Sequence, residues 1–173
     1  MTPVSGVVDR DLGFDRILKD LIRSNGAEVY VGIRQEKGAE LVPDESGKYD
    51  VTLAAVATWN EFGTEDGHVP SRSFLRDTVD LEQNNVQKRL ADGIGQVMEG
   101  KATLEDALGL VGLHVVRASQ ARISQGIAPE NAPSTIAKKG SSKPLVGETG
   151  RLRASIEFEV RIQGEQTGEG GST

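Results

Sequence analysis

The stretch WNEFGTEDGHVPSRSFLRD, residues 59–77, holds large apolar residues, two arginines, two glycines and a proline in one short window. Its Glu-Phe-Gly run predicts the end of a short helix, with Phe62 packed inward and Gly63 in a conformation that needs no Cβ. Pro70 stiffens the loop that follows, and Phe74 docks the start of a second helix. The stretch therefore predicts a helix–loop–helix corner.

The two arginines of this corner allow two interpretations. Arg72 and Arg76 lie four residues apart, so both side chains could reach the same neighbouring carboxylates or phosphates. The alternative is a well-packed corner with two arginines in solvent. The residues alone leave both interpretations open and slightly favour the second.

The composition of the chain restricts its class. Its 173 residues suit a single domain with an appended arm, and 36% hydrophobic with only 4% aromatic residues require a core of Leu, Val, Ile and Ala. The net charge of −6 argues against a general nucleic-acid binder, and the lack of cysteine excludes disulfides and thiolate metal sites. The N-terminal residues predict neither a signal peptide nor a membrane span, and hence a cytosolic protein without export.

Helix-type spacing of apolar residues predicts an N-terminal helix and two long helices. The apolar face of the first, over residues 11–24, is formed by Phe14, Ile17, Leu18, Leu21 and Ile22. Ser73 is the predicted N-cap of the second helix, over residues 74–99. The third, over residues 103–124, opens with an approximate capping box that is closed by Asp106.

Four glycines interrupt the two long helices. Gly93 and Gly95 weaken the first of them by about 1 kcal/mol each relative to alanine if exposed, and they predict a kink or a close helix crossing. Gly109 and Gly112 would let another backbone approach the second closely. This second long helix is expected to be the most buried element.

Strands are predicted at residues 27–33, 49–53 and 156–162 from β-branched and aromatic content or strict alternation. A polar turn is expected between the first two, a short helix over residues 54–62, and a helical turn over residues 151–155. The order helix, strand, strand, helices, strand predicts an α+β fold. A small antiparallel sheet packs with the two long helices and the N-terminal helix.

Residues 129–150 contain three prolines and three glycines and almost no apolar periodicity. This composition predicts an extended arm, inserted in a single α+β domain that comprises residues 11–128 and 151–163. A flexible N-terminus is predicted for residues 1–10 and a disordered tail for residues 164–173.

The arm carries a net positive charge, although the protein as a whole is acidic. From residue 134 to residue 153 it carries five positive charges and one negative charge, and the positive residues are Lys138, Lys139, Lys143, Arg151 and Arg153. One interpretation is contact with an acidic partner surface or with DNA phosphates, for which the arm would become ordered. The other, of equal weight, is a solvated loop that its lysines keep soluble.

The sequence shows few signs of catalytic chemistry. His68 lies in a glycine-rich turn and His114 among apolar helix residues, and neither has the spacing of a metal ligand. No phosphate-binding or nucleophile-elbow motif is present. The sequence therefore predicts no catalytic residue, no metal and no cofactor. The alternative is a hydrolase in which His68 acts together with Glu61 or Asp66.

Two blocks of sequence resemble a known family. Residues 59–77, "WNEFGT…VPSRSFLRD", resemble the "EFGT…iPaRpFlR" signature of the tail-completion, or head–tail joining, family of tailed bacteriophages. Residues 131–156, "NAPSTIAKKGSSKPLVGETGRLRASI", resemble the "N-x-P-x-T…K…LvdTGrLr-x-Si" signature of its Mu-like virion morphogenesis branch. The blocks occur in the expected order, and the resemblance covers residues 14–162. Two positions differ from the signatures of the family. Ser73 stands where a proline is common before the phenylalanine, and Gly147-Glu148 stands where an acidic pair or Val-Asp is usual.

The resemblance implies a structural virion protein that is not an enzyme and binds no cofactor. It would be a ring-forming adaptor, a hexamer, that completes the tail and joins it to the head connector at the neck. Its partners would be copies of itself, the tail terminator protein and the head–tail connector protein. Genome DNA would pass through the ring without sequence-specific binding, and no membrane would be involved.

The same resemblance implies a location in the virion, with the host cytoplasm as the place of assembly. The alternative within the same class of structural virion proteins is a tail terminator or a minor tail protein. A DNA-binding protein that uses the basic arm is the alternative of another class.

The residues expected at subunit or partner interfaces come from both blocks. The corner contributes Trp59, Glu61, Phe62, Arg72, Phe74 and Arg76, and the arm contributes Lys138, Lys139, Lys143, Leu145, Arg151 and Arg153. Under this hypothesis the corner faces a neighbouring subunit, and the arm clasps the next protein along the axis.

Overall fold

The computed structural model describes residues 13–43, 50–146, 150–162 and 165–170. Within these ranges the chain forms seven helices and five strands: α1 (Phe14–Ser24), β1 (Glu28–Ile33), α2 (Gln35–Gly38), β2 (Leu41–Pro43), β3 (Asp50–Thr52), α3 (Leu53–Phe62), α4 (Arg76–Met98), α5 (Leu104–Gln125), α6 (Pro133–Lys139), α7 (Arg151–Ala154), β4 (Ile156–Ile162) and β5 (Glu165–Gly170). This mixture confirms the predicted α+β class.

The strands form two small antiparallel sheets. β4 is the central strand of a three-stranded sheet in the order β1-β4-β5, and β2 pairs with β3. The β1–β4 register runs from Glu28 opposite Arg161 to Ile33 opposite Ile156. Along β4 the side chains of Ile156, Val160 and Ile162 are buried, as the alternating pattern of that strand predicts.

α5 is the centre of the core, as its apolar residues predict. It packs against α4 on one side and against β1 and β4 on the other. A Cβ at Gly112 would lie 2.5 Å from the ring of Phe158, and a Cβ at Gly93 would lie 2.9 Å from the Cβ of Ala107. Glycines at these two positions therefore allow the close approach of α4 to α5 and of the sheet to α5.

Two segments are more regular than the sequence predicts. The residues after β1, expected to form a polar turn, contain α2 and β2. Residues 165–170, expected to belong to a disordered tail, form β5 beside β4. β5 is an edge strand that is held through its backbone, so it does not need the apolar side chains on which the prediction relied.

Other predictions fall partly outside the described ranges. The flexible N-terminus predicted for residues 1–10 and the Gly147-Glu148 pair lie outside the described residues. The N-terminal helix is present as α1, and Arg23 Nη2 attaches it to α5 by donating to Glu105 Oε1 at 2.8 Å. Leu18 and Ile22 of its predicted apolar face are 44% and 66% exposed.

Candidate functional site

The corner predicted at residues 59–77 is formed by the end of α3, a loop and the start of α4. Gly63 ends α3 at a φ of 80°, and its N–H donates to Trp59 O at 2.8 Å. A Cβ at Gly63 would lie 3.0 Å from Ser71 N. Both its dihedral angle and the close approach of the loop therefore require glycine here.

The carboxylate of Glu61 caps α4. Its side chain is 6% exposed and accepts hydrogen bonds from Ser73 Oγ at 2.6 Å and from the backbone N–H groups of Phe74, Leu75 and Arg76 at 2.8, 3.1 and 3.0 Å. The N–H groups at the start of a helix have no partner within the helix, and negative charge is favoured there. Glu61 thus joins the end of one helix to the start of the next.

Two opposing effects act on the pKa of Glu61. Burial alone raises this pKa, but the hydrogen bonds from Ser73 and from the three backbone N–H groups favour the ionised form and outweigh it. The net result is a pKa below the ordinary glutamate value. Glu61 is therefore a charged structural group.

Ser73, the predicted N-cap, links Glu61 to the first turn of α4 through its hydroxyl group. Its hydroxyl donates to Glu61 and accepts from Asp77 N at 3.0 Å, while α4 itself begins at Arg76. The capping role of Glu61 was not predicted from the sequence, because Glu61 precedes Arg76 by 15 residues. No local motif links positions so far apart, and only the return of the loop brings them together.

Arg72 connects the corner to the arm. Its side chain is 8% exposed, and it donates from Nε to Pro129 O at 2.8 Å and from Nη2 to Glu130 O at 3.2 Å. Arg122 of α5 supports the same corner by donating to Ser73 O at 3.3 Å. The interpretation that places both arginines in solvent is wrong for Arg72, because its guanidinium is buried against these two carbonyl groups.

The outer side of the corner presents aromatic and cationic groups. Trp59 is 40% exposed and Phe62 is 64% exposed, and the guanidinium of Arg76 lies 5.8 Å from the Phe62 ring centroid. The prediction that Phe62 packs inward was wrong. Glu61, its neighbour at the end of α3, takes the inward position because the start of α4 needs its carboxylate.

The loop after α3 is closed by its own side chains. Thr64 Oγ1 donates to Asp66 Oδ1 at 2.6 Å and accepts from Val69 N at 2.9 Å, and His68 N donates to Asp66 Oδ1 at 3.0 Å. The hydrogen bond from Thr64 and that from His68 lower the pKa of Asp66. Trp59, Gly63, Thr64, Glu65 and Asp66 line a shallow, open groove beside this loop.

Over residues 129–146, the described part of the arm before Gly150, the chain is folded and not extended. It contains α6, which starts with a proline in its first turn, and it closes on Asn131. The Asn131 side chain donates to the carbonyls of Ser141 and Lys143 at 3.0 and 3.1 Å, and its backbone N–H to that of Ser142 at 2.9 Å. The prediction of an extended arm therefore needs correction, since one asparagine satisfies the backbone of the returning segment.

The basic residues of the arm have different surroundings. Lys143 Nζ donates to Ser124 O at 3.1 Å, and Arg153 Nη1 donates to Ser124 Oγ at 2.9 Å. Lys138 and Arg151 are exposed. The side chain of Lys139 lies outside the described part of the structure.

The predicted interface residues thus separate into two groups. Glu61, Arg72 and Phe74 are buried by their own chain, which corrects their assignment to a contact surface. Leu145 is half-buried against the core. The exposed members are Trp59, Phe62, Arg76, Lys138 and Arg151, and Lys143 and Arg153 are also exposed although hydrogen-bonded to Ser124.

Other chemistry within the described ranges is limited. His114 Nε2 lies 2.8 Å from Glu82 Oε2, between α5 and α4. Across these ranges no group of three or more His, Cys, Asp or Glu side chains could hold a metal ion, and no described helix has the length and apolarity to cross a membrane. Comparison with protein-family models, curated proteins and solved structures gives no match.

Proposed function

We propose that the protein is a structural virion subunit of a tailed phage, a ring-forming adaptor that completes the tail and joins it to the head connector. The observation that supports this most is that Phe74 of the first sequence block lies in the same buried core cluster as Leu152 and Ile156 of the second. Arg72 of the first block also donates to the carbonyl groups of Pro129 and Glu130, which immediately precede the second block. The residues that carry the resemblance therefore form one continuous region of the fold.

The exposed part of this region suits contact with another protein. Tryptophan, phenylalanine and arginine are enriched in protein interfaces, and Trp59, Phe62 and Arg76 lie together on the outer side of the corner. The hydrogen bonds of Glu61 and Arg72 beneath them hold this surface in one shape. A preformed surface loses little conformational entropy on binding.

The hydrolase alternative has little support. Glu61 accepts four hydrogen bonds in a buried setting, so its carboxylate is not available to act with His68. Asp66 uses one carboxylate oxygen to hold its own loop. The hydrogen bonds of Glu61 and Asp66 therefore give both carboxylates a structural role.

The DNA-binding alternative is weakened by the contacts of the arm. Lys143 and Arg153 both donate to Ser124, which leaves fewer cations for phosphates, on a chain with a net charge of −6. We expect no duplex shift in a gel at low salt. A shift that weakens steeply as salt rises would instead favour a DNA-binding protein.

The proposal is tested by removing the chain from the phage that encodes it. Heads and tails should then accumulate unjoined, and supplying the protein in trans should restore joined particles. A normal yield of joined particles without the chain would reject the proposal. The position of the ring density along the particle axis would separate an adaptor from a tail terminator or a minor tail protein.

A matched pair of variants tests the contact surface. Phe62 and Leu81 are 64% and 68% exposed on helices, so truncating either leaves the core intact. Phe62→Ala supplied in trans should lower the yield of joined particles roughly tenfold, as expected for an interface aromatic. Leu81→Ala should restore the wild-type yield, and equal yields from both variants would remove the corner from the contact.

A further inference from the structure

The groove beside Trp59 has the chemistry of a cation site. An indole ring attracts cations to its face, and two carboxylic acids, Glu65 and Asp66, lie on the same groove. Trp59 is 40% exposed, and both acidic residues are exposed. A lysine or arginine side chain entering here would meet an aromatic face and negative charge together.

This groove is preorganised. Asp66 is held by the Thr64 hydroxyl and the His68 backbone, and Gly63 packs against the backbone of Ser71. Its walls therefore do not need to become ordered when a partner binds. Within the described part of the chain Glu65 makes no hydrogen bond or ion pair, which leaves its carboxylate the more available of the two.

The same chain carries the complementary charge in its arm. Lys138 on α6 and Arg151 at the start of α7 are exposed, whereas Lys143 and Arg153 are occupied by Ser124. Among the described residues, no part of the arm lines the groove of its own chain. The cations of one copy are therefore available to the groove of another.

We propose that the groove formed by Trp59, Glu65 and Asp66 binds the basic arm of a second copy of this chain, with Lys138 entering it. This inference rests on the proposed ring. The contact joins two different surfaces, so each subunit offers a groove to one neighbour and an arm to the other. Contacts of this head-to-tail kind close into a ring when the rotation between subunits permits.

Single contacts of this type are weak, which suits a ring that forms only at the right place. A cation on an exposed aromatic ring and a surface ion pair each contribute little alone. Their sum around a closed ring is larger, because the last contact is made within one assembly. Salt should weaken the contact, since its charges are exposed.

Cysteine cross-linking of the full-length protein tests this contact, because the chain contains no cysteine. The variant carrying both Glu65→Cys and Lys138→Cys, concentrated and mildly oxidised, should give a ladder of disulfide-linked oligomers on a denaturing gel. Each single variant should stop at a dimer or below. The matched control pairs Lys138→Cys with Leu81→Cys, whose site on α4 is 68% exposed, and should give no ladder.

Three results would overturn the inference: a protein that stays uncross-linked at all concentrations, a disulfide that closes only within one chain, or a ladder no stronger than that of the control pair. Normal far-ultraviolet circular dichroism of the variants excludes misfolding as the cause. Both substituted residues are exposed, so we expect native spectra.

A charge exchange supplies an independent test. Glu65→Lys and Lys138→Glu should each reduce cross-linking by amine- and carboxyl-reactive reagents roughly fivefold, the upper end of what an exposed ion pair contributes, and the chain carrying both should regain it. Failure of the exchanged chain to recover would reject a direct pairing of these two side chains.

The two proposals can fail separately. A missing ladder, together with unjoined heads and tails when the chain is deleted, would reject this contact and retain the adaptor. A ladder together with normal particles in the deletion would retain the contact and reject the adaptor.

Discussion

The two long helices, α4 and α5, are nearly equal in length, 23 and 22 residues, but their N-termini are secured in different ways. α5 is capped by its own residues: Thr103 Oγ1 accepts from Asp106 N at 3.1 Å, and Asp106 Oδ2 accepts from Thr103 N at 3.1 Å. α4 is capped by Glu61, a residue of the preceding helix. The start of α5 is thus specified locally, and the start of α4 by the fold of the corner.

This difference has a consequence for the contact surface. The carboxylate that caps α4 belongs to the residue just before Phe62, and α4 begins with Arg76, whose guanidinium lies near the Phe62 ring. One buried group therefore fixes the relative positions of the two exposed side chains. A locally capped helix could have shifted against α3 without losing its cap.

The largest effect is expected from Glu61→Ala. Removing the carboxylate leaves three backbone N–H groups and a hydroxyl without their acceptor, and these are buried or partly buried. The free energy of unfolding should fall by roughly 3 kcal/mol, since each unsatisfied buried donor costs about 1–3 kcal/mol and some regain water. Urea denaturation followed by circular dichroism measures this loss.

The control for that substitution is Glu65→Ala, four residues further along and exposed. Its free energy of unfolding should stay within about 0.5 kcal/mol of wild type. If Glu61→Ala also lay within that range, the start of α4 would be stable without the corner and the contrast with α5 would disappear.

The start of α5 could be predicted from sequence because its cap follows a local pattern. Thr103 and Asp106 are three residues apart, and that spacing alone indicates their reciprocal hydrogen bonds. The burial of α5 and the alternation of β4 were equally readable, since periodicity reports which side chains face a core. Such features depend on neighbours along the chain.

The contacts of Glu61 and Arg72 could not be predicted, because their partners are set by how the loop and the arm return. Arg72 donates to two carbonyl groups, and a backbone carbonyl leaves no mark on the residue type that carries it. The outward position of Phe62 follows from the same contacts. A sequence can indicate that this corner is special without indicating which side chain it buries.

The two helices also differ in how their glycines are used, and the next largest effect tests this. Gly112 of α5 lies against the Phe158 ring, where a Cβ would be 2.5 Å from a ring carbon, whereas a Cβ at Gly95 of α4 would meet nothing within 4 Å. Gly112→Ala should destabilise the protein by about 1–3 kcal/mol through overpacking. Thermal or urea unfolding would measure it.

The matched variant should act in the opposite direction. Gly95→Ala should stabilise the protein by roughly 0.5–1 kcal/mol, because alanine is the better helix former where space is open. Effects of the same sign at both positions would show that the close approach of Phe158 does not control α5.

A smaller effect is expected from the local cap. Thr103→Ala removes the hydroxyl that accepts from Asp106 N, and it should lower the free energy of unfolding by about 1 kcal/mol, less than the loss of Glu61. The control is Thr58→Ala on α3, whose hydroxyl donates only to Ala54 O within the helix, and we expect a change within about 0.5 kcal/mol. A loss at Thr103 equal to that at Glu61 would make the two helix starts equivalent.

The smallest effect is the change in stability at acidic pH. It distinguishes the contribution of the negative charge of Glu61 from that of its hydrogen-bonding geometry. The pKa of Glu61 is lowered in the folded protein, despite burial, by the hydrogen bonds from Ser73 and the α4 backbone. A lowered folded pKa gives stability that is complete above the ordinary value of 4.5 and is lost as the pH falls through the folded value. The advantage of wild type over Glu61→Gln should therefore be constant near neutral pH and shrink in acid.

Asp106 provides the comparison, since the Thr103 hydroxyl and backbone lower its pKa as well. Wild type and Asp106→Asn should also converge in acid, but from a smaller difference at neutral pH, because the capping box is exposed and the corner is buried. Urea midpoints measured from pH 7 down to about pH 3 test both pairs against the sign of the linkage. If wild type and Glu61→Gln ran parallel over that range, the cap on α4 would act as a neutral hydrogen-bond acceptor, and its ionised carboxylate would no longer distinguish the two helices.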